Sequence, residues 1–257
     1  MAETEIIYGR WAVLETLRAE RREVTQIIFA EGVEEKGAIT EIVNAAKKRN
    51  IPIKRAPRRM LDDLSRGANN QGVAMRAGPY PYLELETLMG VSEGRKEKPF
   101  FLILDLLQDP QNVGTVIRVA DSVGVHGIVL QDRRGVGVTA AVTNASSGAV
   151  EHLNVVQVTN LVNAMKRLKE FGVWLVGLDI GPNIQPMDKA DLNIPLGLVL
   201  GSEGEGMRRL VRDTCDLMIT LPMRGHVESL NVATVGAVAL YAAWQARQWE
   251  GWIPPHQ

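Results

Sequence analysis

Short runs of consecutive apolar residues alternate along the chain with stretches in which apolar residues recur every three or four positions. Residues 100–107 (Phe-Phe-Leu-Ile-Leu-Asp-Leu-Leu) form the clearest run, which predicts a strand buried on both faces. Further strands are expected at 25–30, from 51, and at 71–75, 127–130, 153–158, 173–178, 196–200 and 217–221. Helical spacing marks 11–17, 39–49, 60–64, 115–122, 138–148, 161–169 and 207–214, with Asn160 as a cap and a last helix from near Asn231. Strands alternating with helices in this way predict an α/β protein with a mostly parallel sheet.

The pattern breaks once. Residues 79–98 hold Pro79-Tyr-Pro-Tyr82, a short polar helix candidate and the charged Ser92-Glu-Gly-Arg-Lys-Glu-Lys98, together a flexible connection. The expected division is a small α/β unit over 1–78, a linker over 79–98 and a larger α/β unit over 99–257.

Composition narrows the function classes. The acidic first residues lack the basic-then-apolar form of a signal peptide. The uncharged run 229–246 falls short of the roughly 20 apolar residues that span a bilayer. Cys215 is the only cysteine, which excludes an internal disulfide and a Cys-based zinc site. A reducing cytoplasm is the expected location. The net charge of −1 does not announce a nucleic-acid partner, but its distribution does more. Between residues 47 and 76 nine Lys/Arg stand against Asp62 and Asp63, a local +7. Such a basic face suits a phosphate backbone, the plain alternative being a solvated surface.

Three polar loops follow apolar strands, at 109–118, 201–206 and 223–231. In Val199-Leu-Gly-Ser-Glu-Gly-Glu-Gly-Met207, the glycines let a ligand approach the bare backbone, and Glu203 sits in the middle as an ionisable group. Open α/β sheets bind small molecules beyond the carboxyl ends of their strands. The chain has no Gly-x-x-x-x-Gly-Lys-[Ser/Thr] loop, no Gly-x-Gly-x-x-Gly after the first strand and no Gly-x-Ser-x-Gly elbow. A nucleotide kinase, a Rossmann dehydrogenase and an α/β hydrolase are therefore disfavoured. His126, His152, His226 and His256 lack metal-ligand spacing, so no metal is expected.

Asp109-Pro-Gln-Asn112-Val-Gly114-Thr-Val-Ile-Arg118 resembles the first motif of the SpoU (TrmH-type) RNA 2′-O-ribose methyltransferases. Leu200-Gly-Ser-Glu-Gly-Glu-Gly-Met207 resembles the second, and Leu221-Pro-Met with Ser229-Leu-Asn-Val-Ala233 the third. The likeness runs over about 100–245 with order and spacing kept, and is strongest to members that modify a guanosine of 23S rRNA. The segment from Ile7-Tyr-Gly-Arg to Asn70-Gln-Gly-Val73 resembles the family's L7Ae-like substrate-binding domain.

The resemblance implies a SPOUT fold with a C-terminal trefoil knot whose loops bind S-adenosylmethionine. Gly201, Leu221 and Leu230 would surround that cofactor. It also implies a homodimer with the knots at the interface, an arrangement that the small-residue stretch 233–243 suits. Arg118 matches the residue the family treats as catalytic. A guanidinium has a pKa above about 12, so Arg118 is expected to hold the target phosphate or stabilise a developing alkoxide while another group accepts the proton. Glu203, Ser229 and Asn231 would fix Arg118 and the ribose, and Asn112 would brace the loops. One departure stands at Asn144, where relatives commonly carry Lys and a phosphate contact would lose its charge. The expected function is S-adenosylmethionine-dependent 2′-O-methylation of structured RNA, most simply a guanosine of 23S rRNA. A tRNA methyltransferase and a non-catalytic RNA-binding module are the alternatives.

Overall fold

The computed structural model describes residues 4–181, 184–226 and 229–252. Two compact units emerge, one built from Met1–Pro81 with Val138–His152, the other from Tyr82–Gly137 with Leu153–Gln257.

In the first unit the chain runs β1 (Glu5–Tyr8), α1 (Arg10–Ala19), β2 (Val24–Ala30), α2 (Ala38–Lys48), β3 (Ile53–Ala56), α3 (Arg58–Leu64) and β4 (Val73–Ala77). The strands order as β1-β4-β2-β3. β4 is antiparallel to β1 and β2, while β2 and β3 are parallel. Strand side chains alternate between faces. Ile27 and Phe29 therefore meet Leu14 and Leu17 of α1 and Ile39 and Ile42 of α2, while Ile28 and Ala30 meet Leu61 of α3. With helices on both sides, the buried part of β2, Ile27 to Ala30, reads as an unbroken apolar run.

The second unit opens with α4 (Leu85–Arg95), β5 (Phe100–Leu104), α5 (Pro110–Ser122) and β6 (Gly127–Gln131). The chain then gives α6 (Ala140–Ala145) and a 3-10 turn at Ala149–His152 to the first unit. It returns as β7 (Val155–Val158), α7 (Leu161–Glu170), β8 (Trp174–Leu178), β9 (Gln185–Pro186), β10 (Leu196–Leu200), α8 (Arg209–Thr214), β11 (Leu217–Thr220) and α9 (Val232–Ala246). The seven strands order as β7-β6-β5-β10-β8-β11-β9, and every pair is parallel. Phe101, Ile103, Val129, Leu175 and Val199 pack under Leu88 of α4, Leu168 of α7 and Val211 of α8. α5 and α9 pack on each other. A Cβ at Gly236 of α9 would come within 2.7 Å of Leu200 and 3.0 Å of Val116, so the small residue sets how closely α9 lies on the strand and α5.

Three expectations change. The polar loop expected at 109–118 is mostly the start of α5, which begins at Pro110 and not at 115. Pro110 is its N1 residue, and the Asp109 carboxylate accepts from Gln111 N–H at 3.0 Å, a standard helix start. The short helix expected within the flexible connection is residues 85–95, but it buries Leu85, Leu88, Met89 and Ser92 and so packs as part of the second unit. Residues 138–152 pack with the first unit instead of the second. There Glu151 and Arg22, both buried, pair at 2.8 Å, and Tyr80 donates to the Val150 carbonyl at 3.1 Å. Among the described residues no helix is long and apolar enough to cross a membrane.

Candidate active site

Because all seven strands of the second unit run the same way, their carboxyl ends share one edge, and the three polar loops converge there. The first loop leaves β5 through Asp105, which is fully buried. Its two oxygens accept from the Arg208 backbone N–H at 2.9 Å and from Arg208 Nε at 2.8 Å, and Asp105 N–H donates to the Leu200 carbonyl at 2.8 Å. A buried carboxylate is tolerable only when paired, and here the pairing ties the β5 exit to the far end of the β10 loop.

The β10 loop closes on itself. Ser202 and Gly206 exchange both backbone hydrogen bonds at 3.0 Å, and the Ser202 hydroxyl also donates to the Gly206 carbonyl at 3.1 Å. A Cβ at Gly201 would lie 2.3 Å from Met207 N and 2.4 Å from the Gly206 carbonyl carbon, so no other residue fits without moving the loop. Glu203 stands at the tip. Its Oε1 accepts from Asn112 Nδ2, in the first turn of α5, and from Asn231 Nδ2 at 2.9 Å. Asn231 Nδ2 also donates to Asn112 Oδ1 at 2.9 Å, while its own Oδ1 caps α9 by accepting from Ala233 and Thr234 N–H. One residue from each loop thus meets in a single polar network.

Behind that network lies a cavity of about 530 Å³, within the size range of small-molecule sites. Its wall includes Gly201, Glu203, Leu221, Ser229, Leu230 and Asn231. Asp179 at the end of β8 joins them, held by Arg212 at 2.9 Å. A second concavity of about 360 Å³, lined by Gln108, Asp109 and Asn112, shares Ser202, Glu203, Glu205 and Val232 with the first. Seven of the eight residues picked from sequence are therefore together. Arg118 is not part of either wall. It is exposed on α5, six residues beyond Asn112 and so about 9 Å further along the helix axis.

Asp105, Arg208, Asp179 and Arg212 went unnoticed in the sequence. Asp105 carried a readable signal, being the sole charge inside the apolar run 100–107. Asn144 lies in the first unit, where its Nδ2 donates to the Tyr8 carbonyl at 3.0 Å and takes the space a Gly9 side chain would need. Burial pushes the Cys215 thiol up to about 12, away from the thiolate form.

Two family models cover most of the chain. Residues 99–241 match the SpoU rRNA Methylase family, and residues 6–83 match RNA 2′-O ribose methyltransferase substrate binding. The chain belongs to the SpoU rRNA methylase family. YacO of Bacillus subtilis (strain 168), placed by its name in the TrmH family of tRNA/rRNA methyltransferases, is 43% identical over 95% of this chain and 96% of its own. A Staphylococcus saprophyticus protein with the same family name is 37% identical over 97% of this chain and 98% of its own. Among solved structures, the SpoU methyltransferase AviRb from Streptomyces viridochromogenes, determined in complex with AdoMet, aligns with a TM-score of 0.77 at 20% identity. The alignment covers 96% of this chain and 90% of AviRb, and it establishes a shared SpoU, or SPOUT, fold.

Proposed function

We propose that this SpoU protein transfers a methyl group from S-adenosylmethionine to a ribose 2′-hydroxyl in structured RNA, with a guanosine of 23S rRNA as the target. The observation that carries the reading is the Asn112–Glu203–Asn231 network at the wall shared by two concavities. A methyl donor and an attacking hydroxyl must approach in line, and two neighbouring spaces with a rigid polar wall suit that demand.

The larger cavity fits the cofactor chemically. It offers apolar side chains from Leu178, Leu221, Leu230 and Val235, bare backbone at Gly201, Gly204 and Gly206, and carboxylates at Asp179 and Glu203. Gly201, Leu221 and Leu230 would hold S-adenosylmethionine, which when bound supplies an electrophilic sulfonium methyl group. Glu203, immobilised through Oε1, and Ser229 orient the ribose, while Asn112 and Asn231 keep the loops in register. Arg118 holds the target phosphate or stabilises the developing alkoxide, while another acceptor takes the hydroxyl proton. Because Arg118 does not line the cavity of its own chain, that role fits a homodimer, in which it serves the site of a second copy. α9 presents exposed Val238 and Tyr241 for such pairing. A trefoil knot built from the β10 and β11 loops and a cytoplasmic location complete the reading.

The test is methyl incorporation from labelled S-adenosylmethionine into protein-free 23S rRNA and into tRNA, followed by mapping of the modified nucleotide. A 2′-O-methylguanosine in 23S rRNA is expected, and activity on tRNA alone would refute the substrate choice. Calorimetric titration with S-adenosylmethionine separates an enzyme from a pure RNA-binding module, which would give no binding heat.

A further inference from the structure

The first unit holds a separate concavity of about 460 Å³, whose walls are Arg10, Trp11, Val33, Arg58, Gln71 and Gly72. Trp11 stands out in it. In α1, Val13, Leu14 and Leu17 face the core, yet the larger indole at Trp11 is 53% exposed. The surroundings of this ring are ordered. Arg10 N–H donates to Gln71 Oε1 at 3.0 Å, and Arg10 Nε donates to the Gln71 carbonyl at 3.3 Å. Those bonds fix the Gln71 amide with its Nε2 end turned away from the start of α1. Gly72, at φ +77°, keeps the opposite wall bare, since a Cβ there would meet Val33 at 2.5 Å. Neither Arg10 nor Arg58 is ion-paired to a carboxylate among the described residues.

We propose that this concavity receives one unpaired nucleobase of the RNA substrate, stacked on the Trp11 indole. Arg10 and Arg58 take the flanking phosphates, and the Gln71 amide offers Nε2–H to an acceptor on the base edge. Aromatic stacking combined with cationic groups along the backbone is how proteins hold single-stranded RNA. A base inside an A-form duplex cannot offer its face to a ring, so the site selects loops, bulges or ends. An apolar protein partner is a poorer match, because closing over Trp11 would bury Arg10 and Arg58, two guanidinium groups with no carboxylate partner among the described residues. The inference rests on the RNA-methyltransferase reading for the source of its ligand, but it concerns the first unit alone.

Fluorescence anisotropy of the full chain with three labelled RNAs tests it: a hairpin with a single-stranded adenosine loop, the same loop made of abasic residues, and the stem as continuous duplex. Stacking is worth enough that Trp11→Ala should weaken adenosine-loop binding by a factor on the order of 10. Trp11→Phe, which keeps an aromatic face, should weaken it by less than about threefold, and wild-type protein should bind the abasic loop about as weakly as Trp11→Ala binds adenosine. Loop binding by Trp11→Ala within about twofold of wild type overturns the proposal. So does an equal loss on loop and duplex, or wild-type indifference to the missing bases. Failure of the methyltransferase reading would appear elsewhere, as wild-type protein that transfers no methyl group to 23S rRNA or tRNA.

Discussion

Glu203 accepts through one oxygen from two side-chain amides, and one of these, Asn231, also caps α9. Substitutions at Asn231 separate the two jobs. Asn231→Ala removes both and should lower stability by about 1 kcal/mol, the usual worth of a helix cap. Asn231→Asp keeps a cap acceptor but sets a carboxylate against Glu203, so thermal unfolding should stay near wild type. Single-turnover methylation should still fall by a factor on the order of 10², the cost of a small misplacement of a group that orients the substrate. Arg118→Lys is the matching test on α5. Loss of the planar, multi-donor guanidinium should slow single-turnover transfer at least about tenfold, and a near-normal rate would remove any need for it. These residues were legible in the sequence because polar types at fixed spacing in three loops resemble family motifs. The partners of Glu203 were not, since spacing along a chain says nothing of which amide reaches which oxygen.

At the scale of elements, the parallel sheet followed from the long apolar runs, and their carboxyl ends gave the edge where the three polar loops meet. The start of α5 was missed because Pro110 and Asp109 look like a turn until the chain beyond them is seen to continue as helix. The β10 loop leaves no room for a side chain at Gly201. Gly201→Ala would drive a methyl group into the Met207 amide, so S-adenosylmethionine affinity measured by calorimetry should fall more than about tenfold with the β-sheet retained by circular dichroism. At the opposite end of β5, His126 Nδ1 accepts from Phe100 N–H at 3.1 Å. Burial, with Arg95 and Arg247 nearby, lowers its pKa to about 4, although Glu97 lies 3.1 Å from Nε2 and pulls the other way. The unfolded chain takes up this proton near its ordinary value of about 6.5, before the folded one does. The His126 contribution is therefore complete above about pH 6.5 and shrinks as pH falls toward 4. His126→Gln should flatten the loss of unfolding free energy over that interval in urea titrations.

For the whole molecule, the two-unit organisation was only partly readable. A short helix was expected within 79–98, but not that α4 would bury one face against the sheet, and 138–152 gave no sign that it packs with the first unit. That attachment depends on long-range pairing of Arg22 with Glu151, two charged residues that sequence reading places on the surface. Burial raises the Glu151 carboxyl above its ordinary range even with Arg22 beside it. Glu151→Ala would leave the buried Arg22 guanidinium with Glu5 as its remaining carboxylate, at 2.8 Å, and urea unfolding should show a loss of about 2 kcal/mol, short of the roughly 3–5 kcal/mol of a fully unpaired buried charge. The central claim concerns chemistry and is met most directly by one assay: purified wild-type protein, labelled S-adenosylmethionine and protein-free 23S rRNA, with the product digested and its ribose methylation mapped. A single 2′-O-methylguanosine, absent when S-adenosylmethionine or protein is withheld, is the expected result. Protein that binds S-adenosylmethionine yet leaves every ribose of 23S rRNA and tRNA unmodified would contradict it.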